Sequence, residues 1–176
     1  KHGLIHSIEY LDKVKSFDIL KIEELEDLIW ESILIKNDVI TKDPFEKNIR
    51  KTLNYGHTLG HAIESYSLDQ NKFPALLHGE AIAIGMVLTN YISFIQLGFP
   101  EQTLSETNHY IIKKFNKYLF SKEDINAIIK LLKFDKKNSN GKVLFVLLND
   151  IGNYKLNCEV PNLLILEAFE YYKNYK

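Results

Sequence analysis

The residues of this 176-residue chain best equipped for chemistry lie between Arg50 and Glu80. His57 and His61 stand one helical turn apart, and His78 follows after a short loop. Arg50 and Asn54 precede them at helical spacing, so imidazoles, a guanidinium and an amide gather in one stretch. That equipment suits a metal site beside an anion site, and therefore an enzyme. A catalytic zinc keeps three protein ligands and one open position. His57, His61 and His78 supply one such triad, a carboxylate in place of one imidazole supplies another, and spacing does not decide between them. Arg50 is the only arginine among 22 basic residues. A planar fork that grips carboxylate or phosphate bidentately is one task lysine cannot copy.

These side chains need an element to align them. Asp43-Pro44-Phe45-Glu46 reads as a helix start, with Asp43 as N-cap, Pro44 at the first helical position and Glu46 completing a capping box. The spacing predicts that this helix runs to about Tyr66. On it Glu46, Arg50, Asn54, His57, His61 and Glu64 fall within an arc of roughly 80°. Phe45, Ile49, Leu53, Leu59 and Ile63 form the neighbouring, core-facing arc, and Lys47 and Lys51 face solvent. A lone helical histidine is more often structural than ligating, and a charged helix face is usually only solvated. Neither explains six polar groups in register with Gly56 and Gly60 between them. A glycine inside a helix costs about 1 kcal/mol against alanine, so it needs a reason such as close packing or ligand approach.

The rest of the chain is also read as mainly helical. Apolar periodicity from Ile22 through Ile35 predicts a helix over about 21–39. A loop covers 69–74, and further helices cover about 78–96, 102–116 and 121–132. Lys142–Leu148 and Asn153–Asn157, joined through Asp150-Ile-Gly152, form a short hairpin, and Pro161 opens a final helix. The expected fold class is mainly α, multihelical, with one small β-hairpin, in a single domain over 1–176.

Composition narrows the function classes. Hydrophobic residues at 45% and charged residues at 26% describe a globular chain with a substantial core. A formal net charge of −1 gives no basic footprint for nucleic acid. Cys158 is the only cysteine, which rules out an intrachain disulfide and a cysteine-rich zinc site, and fits a reducing compartment. The longest apolar run, from Ala81 to Leu88, is too short for a membrane span. No signal-peptide pattern appears at the start, and Lys1 in place of a methionine reads as a fragment of a longer protein.

The motif Arg50-x-x-x-Asn54-Tyr-Gly-His57-Thr-Leu-Gly-His61-Ala-Ile-Glu64, with His78-Gly-Glu80-Ala-Ile-Ala-Ile-Gly-Met86, closely resembles the 3-dehydroquinate synthase family. Lys1-x-Gly3-Leu4-Ile5, Lys36, Asp43, Glu46, Asp135-Lys136-Lys137, Phe145–Leu148 and Ile151-Gly152 extend the resemblance over nearly the whole chain. The resemblance implies a C-terminal helical metal- and substrate-binding domain. An N-terminal, Rossmann-like NAD domain would lie outside this chain. It also implies conversion of a heptulosonate phosphate to 3-dehydroquinate and phosphate, a divalent zinc or cobalt ion, a cytoplasmic homodimer, and neither nucleic-acid nor membrane partners.

Residue by residue, the resemblance makes His57 and His78 metal ligands, with a third, a glutamate, upstream of Lys1. His61 becomes a catalytic, substrate-contacting histidine instead of a ligand. Lys1, Lys36, Arg50, Asn54 and one of Lys136 and Lys137 hold substrate, and Glu46 orients or accepts protons near the metal. The rivals are another sugar-phosphate cyclase, a metal-dependent polyol or alcohol dehydrogenase, and a metal- or anion-binding module without catalysis.

Overall fold

The computed structural model describes residues 1–18, 21–69, 75–132 and 143–175. In chain order these form α1 (His2–His6), α2 (Ile8–Ser16), α3 (Ile22–Lys42), a 3-10 helix (Ile49–Asn54), α4 (His57–Asp69), α5 (His78–Leu97), α6 (Glu101–Lys114), α7 (Lys122–Leu132), the strands β1 (Leu144–Asp150) and β2 (Asn153–Glu159), and α8 (Asn162–Asn174). The fold is mainly helical with one antiparallel hairpin, as the periodicity predicts.

α5 is the central element. It is apolar on nearly all sides, and α4, α6, α8 and β1 pack around it. It is long and apolar enough to cross a bilayer by length and composition, although Ala81–Leu88 alone is not. Here those apolar faces are spent on the core, where Leu59, Ile63, Leu88, Ile92, Ile128 and Phe169 are wholly or almost wholly buried. Gly98 ends the helix in the left-handed region at φ 73°, its N–H bonded back to Phe94. At the other end the Leu77 N–H donates to Glu80 Oε2 at 2.8 Å, which anchors the turn that carries His78.

α3 forms where expected, but its burial is different. Ile35 and Val39 face the core, whereas Ile22, Ile29 and Ile33 stay exposed.

The largest departure from expectation is the helix predicted from Pro44 to Tyr66, of which only the part from His57 onward forms, as α4. Asp43 closes α3 instead of opening a new helix, and its carboxylate accepts the N–H groups of Lys47, Asn48 and Arg50 at 3.0, 2.7 and 3.1 Å. Those bonds hold a tight turn in which Glu46 is left-handed at φ 56°, so no capping box exists there. Phe45, expected in the core, is 81% exposed. After the 3-10 helix, Tyr55 swings fully into the core, where its hydroxyl meets Asn90 Oδ1 at 2.5 Å. Gly56 then breaks the chain at φ 75°. A Cβ there would lie 2.6 Å from Met86 Cγ and 3.0 Å from the Met86 nitrogen. Tertiary contact with α5 therefore overrides a pattern that locally reads as continuous helix. Replacing Asp43 with alanine strands three N–H donors at once, and a drop in melting temperature of about 5 °C is expected in a thermal scan.

The hairpin pairs Leu144 with Glu159 and Asp150 with Asn153. Its turn at Ile151-Gly152 does more than reverse the chain. The Gly152 N–H donates to the Leu4 carbonyl at 2.9 Å, and a Cβ on Gly152 would sit 2.6 Å from the His6 oxygen. The hairpin thus clamps α1, and with it Lys1. In α1, His2 is half-buried with Nδ1 2.6 Å from Ser32 Oγ, and burial together with the Lys1 ammonium lowers its pKa to about 4. The unfolded chain takes up this proton near pH 6.5, whereas the folded chain does so only near pH 4. Stability should therefore fall as pH drops through that window, and His2→Gln should flatten the fall in melts between pH 7 and pH 4.5.

Candidate metal centre

α4 and α5 each begin with a histidine, and close packing of the two helices brings those starts together. The ring centroids lie 5.2 Å apart for His57 and His61, 5.9 Å for His57 and His78, and 5.7 Å for His61 and His78. One ligating atom from each of the three falls within 4.8 Å of the others. His57 and His61 are half-buried and His78 is exposed.

The approach depends on glycine. A Cβ on Gly85 would lie 2.2 Å from the Gly56 carbonyl oxygen and 2.8 Å from the Gly60 nitrogen. One on Gly60 would lie 2.5 Å from Ile82 Cδ1. The glycines inside the motif are thus accounted for by helix packing.

Two rings have partners that fix their tautomers. His57 Nδ1 lies 3.1 Å from the Tyr55 carbonyl oxygen, which can only accept, so Nδ1 carries the proton. Its Nε2 faces the Lys1 ammonium at 3.3 Å, and the same ammonium donates to the Leu53 carbonyl at 2.8 Å. Burial, aided by the Lys1 charge, lowers the His57 pKa to about 4, which keeps the ring neutral at physiological pH. His78 Nδ1 lies 3.0 Å from Glu64 Oε2, which leaves its Nε2 for an ion, whereas an ion on His57 Nε2 takes the place of the Lys1 ammonium there. Neutral imidazoles whose outer nitrogens are tied to a carbonyl or carboxylate are the donor set that zinc and cobalt favour. On donor chemistry, the residues fit a divalent metal.

The other candidates are distributed around this centre. Lys1 touches it, and Lys1 and Lys36 share the lining of a cavity of about 430 Å³ with His2, Ser32 and Leu53. Glu46 and Asn54 form a pair, with Asn54 Nδ2 donating to Glu46 Oε1 at 2.6 Å. Arg50 Nη1 donates to the Pro44 carbonyl at 2.7 Å. Glu46, Arg50 and Asn54 therefore do not continue the α4 face as a single helical stripe. They belong to the turn and the 3-10 helix ahead of it, because Asp43 and Gly56 break the predicted helix. Lys136 and Lys137 lie outside the described residues.

Three contributors escape sequence reasoning. The Tyr55 and Leu53 carbonyls leave no side-chain signal, and Glu64 partners a residue 14 positions away on another helix. Only its place one turn beyond His61 hinted at a role.

Fold and centre together define a helical domain that carries a histidine cluster with Lys1 beside it, and Lys1 also lines a neighbouring cavity with Lys36. A family model described as 3-dehydroquinate synthase C-terminal matches residues 1–138. The 3-dehydroquinate synthase of Parabacteroides distasonis is 38% identical over 98% of this chain and 49% of its own length. That of Nostoc punctiforme is 38% identical over 97% of this chain and 48% of its own length. Among solved structures, a 2-deoxy-scyllo-inosose synthase in complex with carbaglucose-6-phosphate, NAD+ and Co2+ is 29% identical. It superposes with a TM-score of 0.66 over 84% of this chain and 41% of that one. A 2-epi-5-epi-valiolone synthase from Streptomyces hygroscopicus with NAD+ and Zn2+ bound shares the fold, with a TM-score of 0.78 at 16% identity over 99% of this chain and 49% of that one. The chain belongs to the 3-dehydroquinate synthase C-terminal family, and it spans about half the length of the curated relatives it matches.

Proposed function

We propose that this chain is the metal- and substrate-binding half of a 3-dehydroquinate synthase, a carbon–oxygen lyase. It would convert 3-deoxy-arabino-heptulosonate 7-phosphate to 3-dehydroquinate and phosphate, in the shikimate route to aromatic amino acids. The carrying observation is the cluster of His57, His61 and His78 with the Lys1 ammonium beside it. When bound, the divalent ion supplies Lewis acidity toward a substrate hydroxyl, and NAD, held by a Rossmann-like domain outside this chain, supplies hydride acceptance.

The residues divide the remaining work. His57 and His78 hold the ion through Nε2, with a glutamate ahead of Lys1 as the third ligand. Lys1 and Lys36 offer two cations to one cavity, which suits a substrate bearing both carboxylate and phosphate. Arg50, Asn54 and one of Lys136 and Lys137 add further donors that turn affinity into orientation. Glu46 accepts from the Asn54 amide and so sets its orientation. His61, whose ring packs edge-on to that of His57, would move a proton at the reacting carbon or oxygen. The left-handed Glu46, held by Asp43, fits a carboxylate kept in a costly conformation for use.

The reading extends to a cytoplasmic homodimer acting on a small sugar phosphate. The chain alone should turn over negligibly, since the NAD site lies outside it. The test is phosphate release and product identity with the full-length protein, the heptulosonate phosphate, NAD and zinc or cobalt. Stoichiometric phosphate and 3-dehydroquinate support the reading. Net accumulation of NADH would point to a polyol dehydrogenase, turnover of a different sugar phosphate to another cyclase, and metal binding without turnover to a binding module.

A further inference from the structure

Glu64 is an acidic residue of the motif to which neither the resemblance nor the reaction gives a task. It stands on α4 three residues past His61, yet its Oε2 lies 3.0 Å from Nδ1 of His78, the first residue of α5. The two histidines read as ligands are supported very differently. His57 is half-buried, and its ring is held between the Tyr55 carbonyl and the Lys1 ammonium. His78 has a side chain 57% exposed and opens its helix, and the Glu64 carboxylate holds the polar edge of its ring. An exposed imidazole without such a partner samples several rotamers and both neutral tautomers. A carboxylate on Nδ1 selects the tautomer with the proton there and turns Nε2 to the ion. The glutamate is itself only 26% exposed, so its own pose is set by the packing of α4 on α5. As a mere surface ion pair it would contribute little.

We propose that Glu64 is a positioning residue for His78, holding that imidazole in the tautomer and direction that metal binding requires. The inference rests on the reading of His57 and His78 as ligands. Glu64 touches neither substrate nor ion in it.

The test is a zinc titration, competed with a chelator, of the metal-free full-length protein and its Glu64→Gln and Glu64→Ala variants. A cobalt(II) absorption spectrum of each accompanies it. Alanine should weaken zinc about 10- to 100-fold and shift the cobalt bands. Glutamine, whose amide oxygen still accepts from Nδ1 but brings no charge, should fall between. The metal-free melting temperatures of both should match wild type. Wild-type zinc affinity and spectrum in Glu64→Ala would overturn the inference, as would an affinity loss matched by a collapse of metal-free stability. If the wild-type protein itself binds no zinc or cobalt, the ligand reading beneath it fails, and the two failures are told apart.

Discussion

His57→Ala should remove zinc from the full-length protein and lower phosphate release by about 10³-fold, since metal Lewis acidity supplies several kcal/mol and about 4 kcal/mol is that factor. The site makes this residue hard to replace. Its ring stands at the first position of α4, and the Tyr55 carbonyl and Lys1 ammonium fix which nitrogen points inward. The half-buried ring does not anchor the core, so the variant should still fold, with a far-ultraviolet spectrum like the parent's. His61→Ala is the informative companion. If His61 serves substrate, that variant keeps its zinc and loses turnover by about 10²-fold or more, the usual scale of a general acid–base contribution. If zinc departs with His61 as it does with His57, the three-imidazole triad is the true ligand set. Metal content by elemental analysis, set against phosphate release, separates the two.

That choice also marks where the sequence stops being legible. Which histidines meet was readable, because each carries a strong local signal: one turn of helix between His57 and His61, and the start of an apolar helix at His78. α5, α7, α8 and the hairpin were readable for the same reason, since Gly98, Ser121, Pro161 and Ile151-Gly152 punctuate them locally. The stretch from Pro44 to Gly56 was not. The four-residue spacing of its Glu46, Arg50 and Asn54 fits a helix, but what decides its path is nonlocal: the Asp43 carboxylate folding back on three N–H groups, Tyr55 seeking Asn90, and Met86 pressing on Gly56. Phe45 shows the cost of the missing information, for a residue on the expected core arc is one of the most exposed. The Glu64–His78 pair was invisible for the same reason, as it exists only because two helices touch.

The touch itself is open to test at Gly85. A Cβ there would meet backbone at every point, with the Gly56 oxygen at 2.2 Å, the Gly60 nitrogen at 2.8 Å and the Gly60 Cα at 3.0 Å. Backbone cannot rotate away as a side chain can, so Gly85→Ala must push α4 and α5 apart. Leu59, Ile63, Val87 and Leu88, all fully buried along this seam, lose contact as it opens. Overpacking of this kind costs about 3 kcal/mol, or about 10 °C of melting temperature in a chain of this size. A second effect separates this position from an ordinary core residue. His57 and His61 ride on α4 and His78 on α5, while metal–ligand distances tolerate only about 0.2 Å. Molecules that remain folded should therefore bind zinc at least about tenfold more weakly. Gly79→Ala is the control, because it adjoins His78 and a Cβ there meets nothing within 4 Å. It should leave zinc affinity unchanged and gain about 0.5 kcal/mol from helix propensity. Equal zinc binding by Gly85→Ala and Gly79→Ala would show that helix separation does not set the geometry of the histidine cluster.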